Sequence, residues 1–385
     1  MSWSRRRFMA GALCSGLVVS AGRARAAVTD AVTLGAVLPF SGELAAYGAQ
    51  ARIGIDQAVA EVNAGGGVGG RPLNVLYEDN VGDSRVSVER AVRLVHHRNA
   101  VAIVGPVSSV TRNVMTPVLD RLGVPLLYAT TYEGGACARH LFCFGTVPNQ
   151  DLAYLVPHVA RVGGGRFFLI GADYVWPDMM FRRARSIIAS LGAEVVGEEL
   201  LPWGLRDFGR LLTRVRQSGA STLLLALPGH DGLHLLDQAE RSGVLEGRTV
   251  ADLGINEALL STLPPGRAEG LFCSVPMVTD SPEPKVRDFV ARIRRRAGPS
   301  TVVEGFTLLH YNAVMACAAA LRKAGEVSRA AVVAGLPGLT LDSPTGPVTI
   351  GADHHVTLSV YLARRAAGRL TVVRALGRIP PESGC

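Results

Sequence analysis

The chain alternates short apolar runs with longer stretches in which apolar residues recur every three or four positions. The short runs predict strands, and the longer stretches predict helices. Up to residue 128 this pattern gives strands at 32–38, 73–77, 101–104 and 125–128, with helices at 45–63, 84–98 and 109–121. Nearly continuous apolar strands separated by helices indicate a parallel sheet covered on both faces.

A second series of the same kind begins after Asn149. It predicts helices at 152–161, 177–191, 207–217 and 230–241, and strands at 167–170, 193–200 and 222–227. Beyond a strand at 270–275, two helices (285–296 and 303–322) precede three strands (346–350, 357–363 and 370–374). Helices without strands, followed by strands without helices, do not make a third doubly wound unit. We therefore expect these segments to be added to the two earlier units.

The N-terminus predicts export. Arg5, Arg6 and Arg7 precede an apolar run over 10–21 and the small-residue sequence Ala24-Arg25-Ala26. This order is typical of a cleaved signal, and the twin arginines favour the twin-arginine (Tat) route. The apolar run is shorter than the ~20 residues that span a bilayer. The alternative is a basic N-terminus that is retained.

The charge balance argues against a nucleic-acid partner. The chain has 40 Lys plus Arg against 32 Asp plus Glu, but residues 1–26 contain five arginines and no acid, so 35 basic residues remain against 32 acidic ones. Nucleic-acid binding needs clustered cations, whereas acids and arginines alternate along the predicted helices.

The length and the cysteines add two expectations. Removal of residues 1–26 leaves more chain than a single core usually supports, so two domains are expected. Five cysteines follow residue 26, an odd number for an oxidising compartment. Cys137 and Cys143 are close enough in sequence to close a small loop, and their pairing stays open. Cys273 and Cys317 lie in apolar runs and are interpreted as core residues. No spacing fits a zinc site.

Several short motifs occur at the ends of predicted strands. They include TTYEG at 130–134, VPNQ at 147–150, GADYVWP at 171–177 and SPTGPV at 343–348. Together they resemble the solute-binding subunits of ABC importers in the branched-chain amino acid-binding family, and in particular its urea and short-chain amide branch. The resemblance implies an α/β fold of two doubly wound lobes joined by a three-crossing hinge, the type I periplasmic binding protein fold.

The resemblance also implies domain boundaries. A signal peptide at 1–26 would be followed by lobe 1 at 27–147 plus 277–343, lobe 2 at 148–276 plus 344–375, and a C-terminal tail at 376–385. A cleft between two such lobes, where strand ends and helix N-termini converge, is the expected ligand site.

The clearest candidate in the cleft is Ser109. The segment from Gly105 to Ser109 ends a predicted strand and starts a helix, where a hydroxyl beside free N–H groups can hold a carbonyl or carboxylate oxygen. Ser108 or Ser109 could instead only cap the helix. The resemblance places the ligand-holding serine at Ser109.

The other candidates follow from the resemblance. Tyr174 is expected to reach the ligand from lobe 2. Glu257 lies where amino-acid-binding relatives place the partner of the ligand ammonium, although an acid there could also interact only with a helix dipole. The complete candidate set is Ser108, Ser109, Tyr128, Thr130, Thr131, Glu133, Tyr174 and Glu257.

The expected function is capture without chemistry. The ligand would be urea, a short-chain amide or a related small polar solute, delivered to an ABC permease from the periplasm, with no cofactor. The alternative is a branched-chain or other amino acid, which would need a buried acid for its ammonium. An enzyme is disfavoured because G-x-S-x-G and H-E-x-x-H are absent from the sequence and it has only two lysines. A cytoplasmic amide sensor is disfavoured by the export signal.

Overall fold

The computed structural model describes residues 31–264 and 266–385. The predicted signal peptide therefore lies outside the described residues. Five parallel strands form the first sheet, in the spatial order β2-β1-β3-β4-β5. They are β1 (Val32–Leu38), β2 (Leu73–Asp79), β3 (Ile103–Val104), β4 (Leu126–Tyr128) and β5 (Leu141–Cys143).

Three helices connect these strands: α1 (Ala45–Ala64), α2 (Ser84–Arg98) and α3 (Ser109–Arg121). Local chemistry sets their ends. Asp83 accepts a hydrogen bond from the Val86 N–H and so caps α2, and Asn99 ends that helix in the left-handed conformation. Ser108 caps α3 in the same way through the Thr111 N–H.

The second sheet has the order β11-β12-β13-β10-β9-β8-β6-β7, and β14 pairs with β13. The pairs β7–β6, β6–β8, β8–β9 and β9–β10 are parallel. The pairs β10–β13, β13–β12, β12–β11 and β13–β14 are antiparallel. The strands are β6 (Arg166–Ala172), β7 (Glu194–Leu201), β8 (Thr222–Ala226), β9 (Thr249–Asp252), β10 (Phe272–Val275), β11 (Thr340–Ser343), β12 (Gly346–Ile350), β13 (Val356–Ala366) and β14 (Arg369–Ile379). Every residue of β8 is buried, as its apolar sequence requires.

Eight further helices complete the fold: α4 (Pro148–Gly163), α5 (Val175–Ser190), α6 (Gly209–Gln217), α7 (His230–Arg241), α8 (Glu257–Leu260), α9 (Pro284–Ala297), α10 (Gly305–Ala324) and α11 (Arg329–Gly335). After β10 the chain returns to the first lobe, where α10 packs along α1. The Thr307 hydroxyl donates to Gln50 across this interface at 2.6 Å. The predicted exchange of segments is therefore present.

The third crossing occurs earlier than the sequence predicts. The expected boundary keeps residues up to 343 in lobe 1, but β11 pairs with β12 in the second sheet through Thr340 and Thr349. The short polar sequence of β11 gives no strand pattern, which explains the difference. At the C-terminus, β14 continues to Ile379, into the range predicted as a tail.

The structure answers the cysteine pairing that the sequence left open. Cys137 is bonded to Cys385, and Cys143 is a free, buried thiol in β5. Two cysteines 248 positions apart in sequence cannot be matched from spacing alone. In the described part of the chain, no helix is long and apolar enough to cross a membrane.

Candidate functional site

Two small cavities lie between the lobes, with volumes of about 40 and 70 Å³. Ser108, Ser109, Thr130 and Tyr174 line the first cavity. Asp151, Glu257, Ser274 and Glu304 line the second. The two cavities share part of their walls and so form one continuous site, with the common residues Tyr47, Thr131, Leu253, Gly254 and Phe306.

The lobes touch around this site. The Gly229 N–H donates to the Tyr47 hydroxyl at 2.9 Å, and that hydroxyl donates to the Gly254 carbonyl. Gly229 has φ +75°, and a Cβ there would lie 2.6 Å from the carbonyl oxygen of Glu43, so the close approach of the lobes requires glycine. Arg206 of lobe 2 pairs with Glu43 at 2.7 Å. The cleft is thus in a closed arrangement.

The N-terminus of α3 forms one wall. Ser109 is 2% exposed, and its hydroxyl donates to Glu133 Oε2 at 2.6 Å. Arg112, one turn later, pairs with Glu133 Oε1 at 2.6 Å. The backbone N–H of Ser109 begins the helix, where it has no acceptor within the helix. The wall therefore offers one N–H donor together with a serine oxygen.

Two predicted ligand residues lie behind this wall. The Arg112 guanidinium stacks over the rings of Tyr128 and Tyr132, at 5.0 and 4.8 Å from their centres. The Tyr128 hydroxyl donates to the Val107 carbonyl at 2.9 Å. Neither Tyr128 nor Glu133 lines a cavity. Both support Ser109 and Arg112.

The loop after β4 supplies the threonines. The Thr130 hydroxyl faces the Pro106 carbonyl at 3.4 Å. Thr131 hydrogen-bonds to Thr146, and its hydroxyl donates to Asp151 at 3.3 Å. Burial raises the pKa of Asp151 to about 7, although hydrogen bonds from the two threonine hydroxyls act to lower that pKa. Asp151 therefore takes up a proton readily near neutral pH.

Tyr174 approaches from lobe 2, as the resemblance implies. It precedes α5 and packs with Trp176 and Trp203, at ring distances of 6.2 and 5.4 Å. Burial raises the pKa of Tyr174 well above its usual value, so the phenol stays protonated. A protonated phenol can donate a hydrogen bond to a ligand in the first cavity.

Three buried acids line the second cavity: Asp151, Glu257 and Glu304. Glu257 begins α8 and accepts the Thr279 N–H at 3.0 Å, and burial raises the pKa of Glu257 to about 7. Glu304 accepts the Ala258 N–H at 3.2 Å. Burial, and then the charge of Glu257, raise the pKa of Glu304 to about 8. Neither lysine nor arginine occurs among the described residues that line the two cavities.

Several buried polar atoms here lack a protein partner. Within the described residues these include Asn256 Nδ2, Ser274 Oγ and Glu304 Oε1, all from residues that line the second cavity. An unpaired buried polar group costs about 1–3 kcal/mol. Such a set fits a polar ligand that would satisfy it.

Sequence reasoning missed Tyr47, Ser274, Glu304 and Phe306. Glu304 is the second residue of the helix predicted over 303–322, where an acid is ordinarily interpreted as a helix-start residue. Tyr47 lies in the first turn of α1, just after the Pro-Phe-Ser-Gly turn at 39–42, and this was its only sequence signal.

Comparison with known proteins places the chain in a family. A family model described as "Periplasmic binding protein" matches residues 31–369. An "Amino acid binding protein" of Pseudomonas aeruginosa is 26% identical over 333 residues, covering 84% of this chain and 86% of that protein.

Solved structures agree in fold. A solute binding protein of an ABC transporter from Rhodopseudomonas palustris, in complex with 4-hydroxybenzoate, has a TM-score of 0.84 at 21% identity and covers 92% of this chain and 99% of that one. A branched-chain amino acid transporter substrate binding protein from Streptococcus pneumoniae, in complex with isoleucine, has a TM-score of 0.80 at 22% identity, with 91% and 100% covered. This chain belongs to the periplasmic binding protein family and has its type I fold of two α/β lobes.

Proposed function

We propose that this chain is the ligand-binding subunit of an ABC importer, that it works in the periplasm, and that it captures an amino-acid-type solute through the ammonium group. The observation that carries the proposal is the second cavity, where Glu257 and Glu304 are buried without a lysine or arginine in the cavity wall. The names of the amino-acid-binding relatives support the same class of ligand.

The acids favour a cation for a physical reason. Burial of a carboxylate without a partner is costly, and the group responds by holding its proton. An ammonium between Glu257 and Glu304 would supply the missing charge and hydrogen-bond donors at once. A neutral ligand would leave the carboxyls protonated and gain less from them.

Urea or a short-chain amide is the second candidate. The GADYVWP motif at 171–177 places Tyr174 and Trp176 in the wall of the first cavity. That cavity, at about 40 Å³, suits a molecule of only a few heavy atoms. Such a ligand would interact with hydroxyls and backbone groups and would need no acid.

A thermal-shift screen tests the proposal. The exported chain is heated with L-leucine, L-leucinamide, glycine, urea, acetamide or benzoate. A ligand that binds only the folded state stabilises it by about 2.7 kcal/mol at a hundredfold excess over Kd. We expect the ammonium-bearing compounds to raise Tm and Glu257→Gln to abolish their effect. Glu78→Gln, on β2 outside both cavities, is the matched control. Stabilisation by urea, acetamide or benzoate alone would refute the amino-acid proposal.

A further inference from the structure

We propose that Glu133, fixed by Arg112, makes Ser109 a hydrogen-bond acceptor toward the first cavity, so that the site selects an N–H group at this position and discriminates against a carboxylate. This inference deepens the proposed function and rests on it. The ligand class it defines is an amine with a neutral amide in place of a free carboxylate.

The direction of the Ser109 hydrogen bond follows from proton count. A serine hydroxyl has one proton to donate and two lone pairs that accept. Ser109 Oγ lies 2.6 Å from Glu133 Oε2, and a carboxylate only accepts. The serine proton is therefore used on Glu133. What Ser109 can still offer to a ligand is a lone pair.

Arg112 holds the Glu133 side chain in one place. Arg112 Nη2 lies 2.6 Å from Glu133 Oε1, and the two side chains are only 3% and 5% exposed. The guanidinium is itself fixed between the rings of Tyr128 and Tyr132 and by the Asn113 side chain, whose Oδ1 lies 2.8 Å from Nη2. An arginine clamped on several sides keeps its partner from turning away, so Ser109 has a permanent acceptor.

Glu133 also occupies the electrostatic role that a ligand carboxylate would take. The N-terminus of α3 and the Arg112 charge both attract an anion, and the protein supplies that anion itself. Beyond it, the cavity walls carry the carboxyls of Asp151, Glu257 and Glu304. A ligand carboxylate would meet a serine lone pair and several acids, and no lysine or arginine from the described lining residues.

This differs from the expectation drawn from the sequence, in which Ser109 donates to a carbonyl or carboxylate oxygen. The sequence shows a serine at a helix start but not the glutamate 24 positions later that accepts its proton. A neutral amide fits the observed arrangement, because its NH2 donates to the Ser109 hydroxyl oxygen while its carbonyl accepts from the Ser109 backbone N–H at the start of α3.

The test compares matched amide and acid pairs by calorimetry: L-leucinamide with L-leucine, and acetamide with acetate. In the wild type we expect the amide of a pair to bind at least tenfold more tightly. Ser109→Ala removes the acceptor and should weaken amide binding about tenfold while leaving the acid within twofold. Glu133→Gln frees the serine proton and unmasks Arg112, so the amide-to-acid ratio should fall at least tenfold. Glu78→Gln, outside both cavities, should keep the wild-type ratio.

A purely structural role for Glu133 would weaken both members of a pair equally and leave their ratio unchanged, which would overturn the inference. Tighter binding of leucine than of leucinamide would also overturn it and leave the amino-acid proposal standing. Binding of acetamide over acetate, without binding of either leucine compound, would support the Ser109 inference and refute the ammonium proposal.

If Glu133→Gln does not fold, the amide-to-acid affinity ratios of the wild type and of Ser109→Ala test the inference instead. Absence of binding by all four compounds would overturn both proposals.

Discussion

At the residue scale, the distinctive feature is a set of buried carboxyls without cationic partners. Glu257 and Glu304 line the second cavity, and Asp252 precedes residues that line both. Two backbone N–H groups donate to Asp252 Oδ1, while its Oδ2 has no partner among the described residues. Burial raises the pKa of Asp252 to about 7. These carboxyls can therefore bind protons near neutral pH and release them when a cation binds.

Protonation makes the stability of the ligand-free protein depend on pH. The pKa of Glu304 rises from 4.5 to about 8 on burial. A group with a raised folded pKa contributes stability that is fully present below the unfolded value and is lost as pH rises through the folded value. The free energy of unfolding should therefore fall from pH 5 to pH 8.5. A tenfold difference in proton affinity between the folded and unfolded chain corresponds to about 1.4 kcal/mol.

Thermal unfolding at pH 5, 6.5 and 8.5 measures this dependence. The glutamine side chain of the Glu304→Gln variant has no proton to lose. As pH rises, the free energy of unfolding of the wild type should therefore fall relative to that of the variant. A difference that stays constant across the range would show that Glu304 is not a buried neutral acid.

Tyr174→Phe tests the contact from lobe 2. If the phenol holds the ligand, its removal leaves a ligand group unpaired and costs about 1–3 kcal/mol of binding, roughly a five- to hundredfold loss of affinity. Stability without ligand should barely change. The control is Tyr311→Phe, outside both cavities, which removes the hydrogen bond to Glu61 Oε2 and should destabilise the fold with little effect on affinity. Unchanged affinity of Tyr174→Phe in calorimetry would contradict the contact from lobe 2.

How far these residues were predictable depends on local signals. Ser109 begins the helix after β3 and Thr130 lies just after β4, and these positions at the lobe edge marked them. The roles of Glu133 and Glu304 depend on partners distant in sequence, such as Arg112 and the Ala258 N–H. The amino-acid pattern around Glu133 or Glu304 does not indicate which distant residue it contacts.

At the element scale, the segment after β14 ties the lobes together. Cys385 is bonded to Cys137 in the loop between β4 and β5 of the first sheet. Nearby, the Gly135 N–H donates to the Ser383 carbonyl at 2.6 Å, and Glu382 pairs with Arg183 of α5 at 2.7 Å. The C-terminal segment is therefore a further link between lobes, in addition to the three crossings.

Loss of the disulfide should destabilise the protein. It closes a loop of 248 positions, and a bond of this kind typically contributes about 2–4 kcal/mol. Cys385→Ser should lower the free energy of unfolding by that amount, and reductant should affect the wild type but not the variant. Ligand affinity should stay within a few fold, since neither cysteine lines a cavity. Equal stability of the wild type with and without reductant would contradict the link.

The longer elements were predictable because their apolar spacing is regular, as in α1 and β8. Short elements were missed: β5, β9, β11, α8 and α11 each have seven residues or fewer. A run of three or four residues carries too little periodicity to identify. Their conformation is set by pairing with neighbouring strands or by packing.

At the scale of the whole molecule, the two-lobed fold predicted from the sequence is confirmed. The alternation of strands and helices determined the fold class, and the late run of helices followed by strands indicated the exchange of segments. The closed arrangement of the lobes was not predictable, because it depends on contacts such as Tyr47 with Gly229 that link distant parts of the chain.

Tyr47→Phe should shift the lobes toward an open form. The change removes the hydroxyl that joins Gly229 and Gly254, and leaves buried backbone groups without a partner. If only the closed form binds tightly, affinity should drop roughly five- to hundredfold. Solution scattering without ligand should give a larger radius of gyration for the variant than for the wild type. Equal radii of gyration would mean that Tyr47 does not hold the closed form.

Binding of an ammonium group by the buried carboxyls between the lobes can be measured directly. Calorimetric titration of the wild-type protein with L-leucine, L-leucinamide, acetamide and urea, in buffers of different ionisation enthalpy at pH 7, tests it most directly. We expect 1:1 binding of an ammonium-bearing compound with release of protons to the buffer, and loss of both the binding and the proton release in Glu257→Gln. Tight binding of urea or acetamide without proton release, and none of either leucine compound, would contradict it.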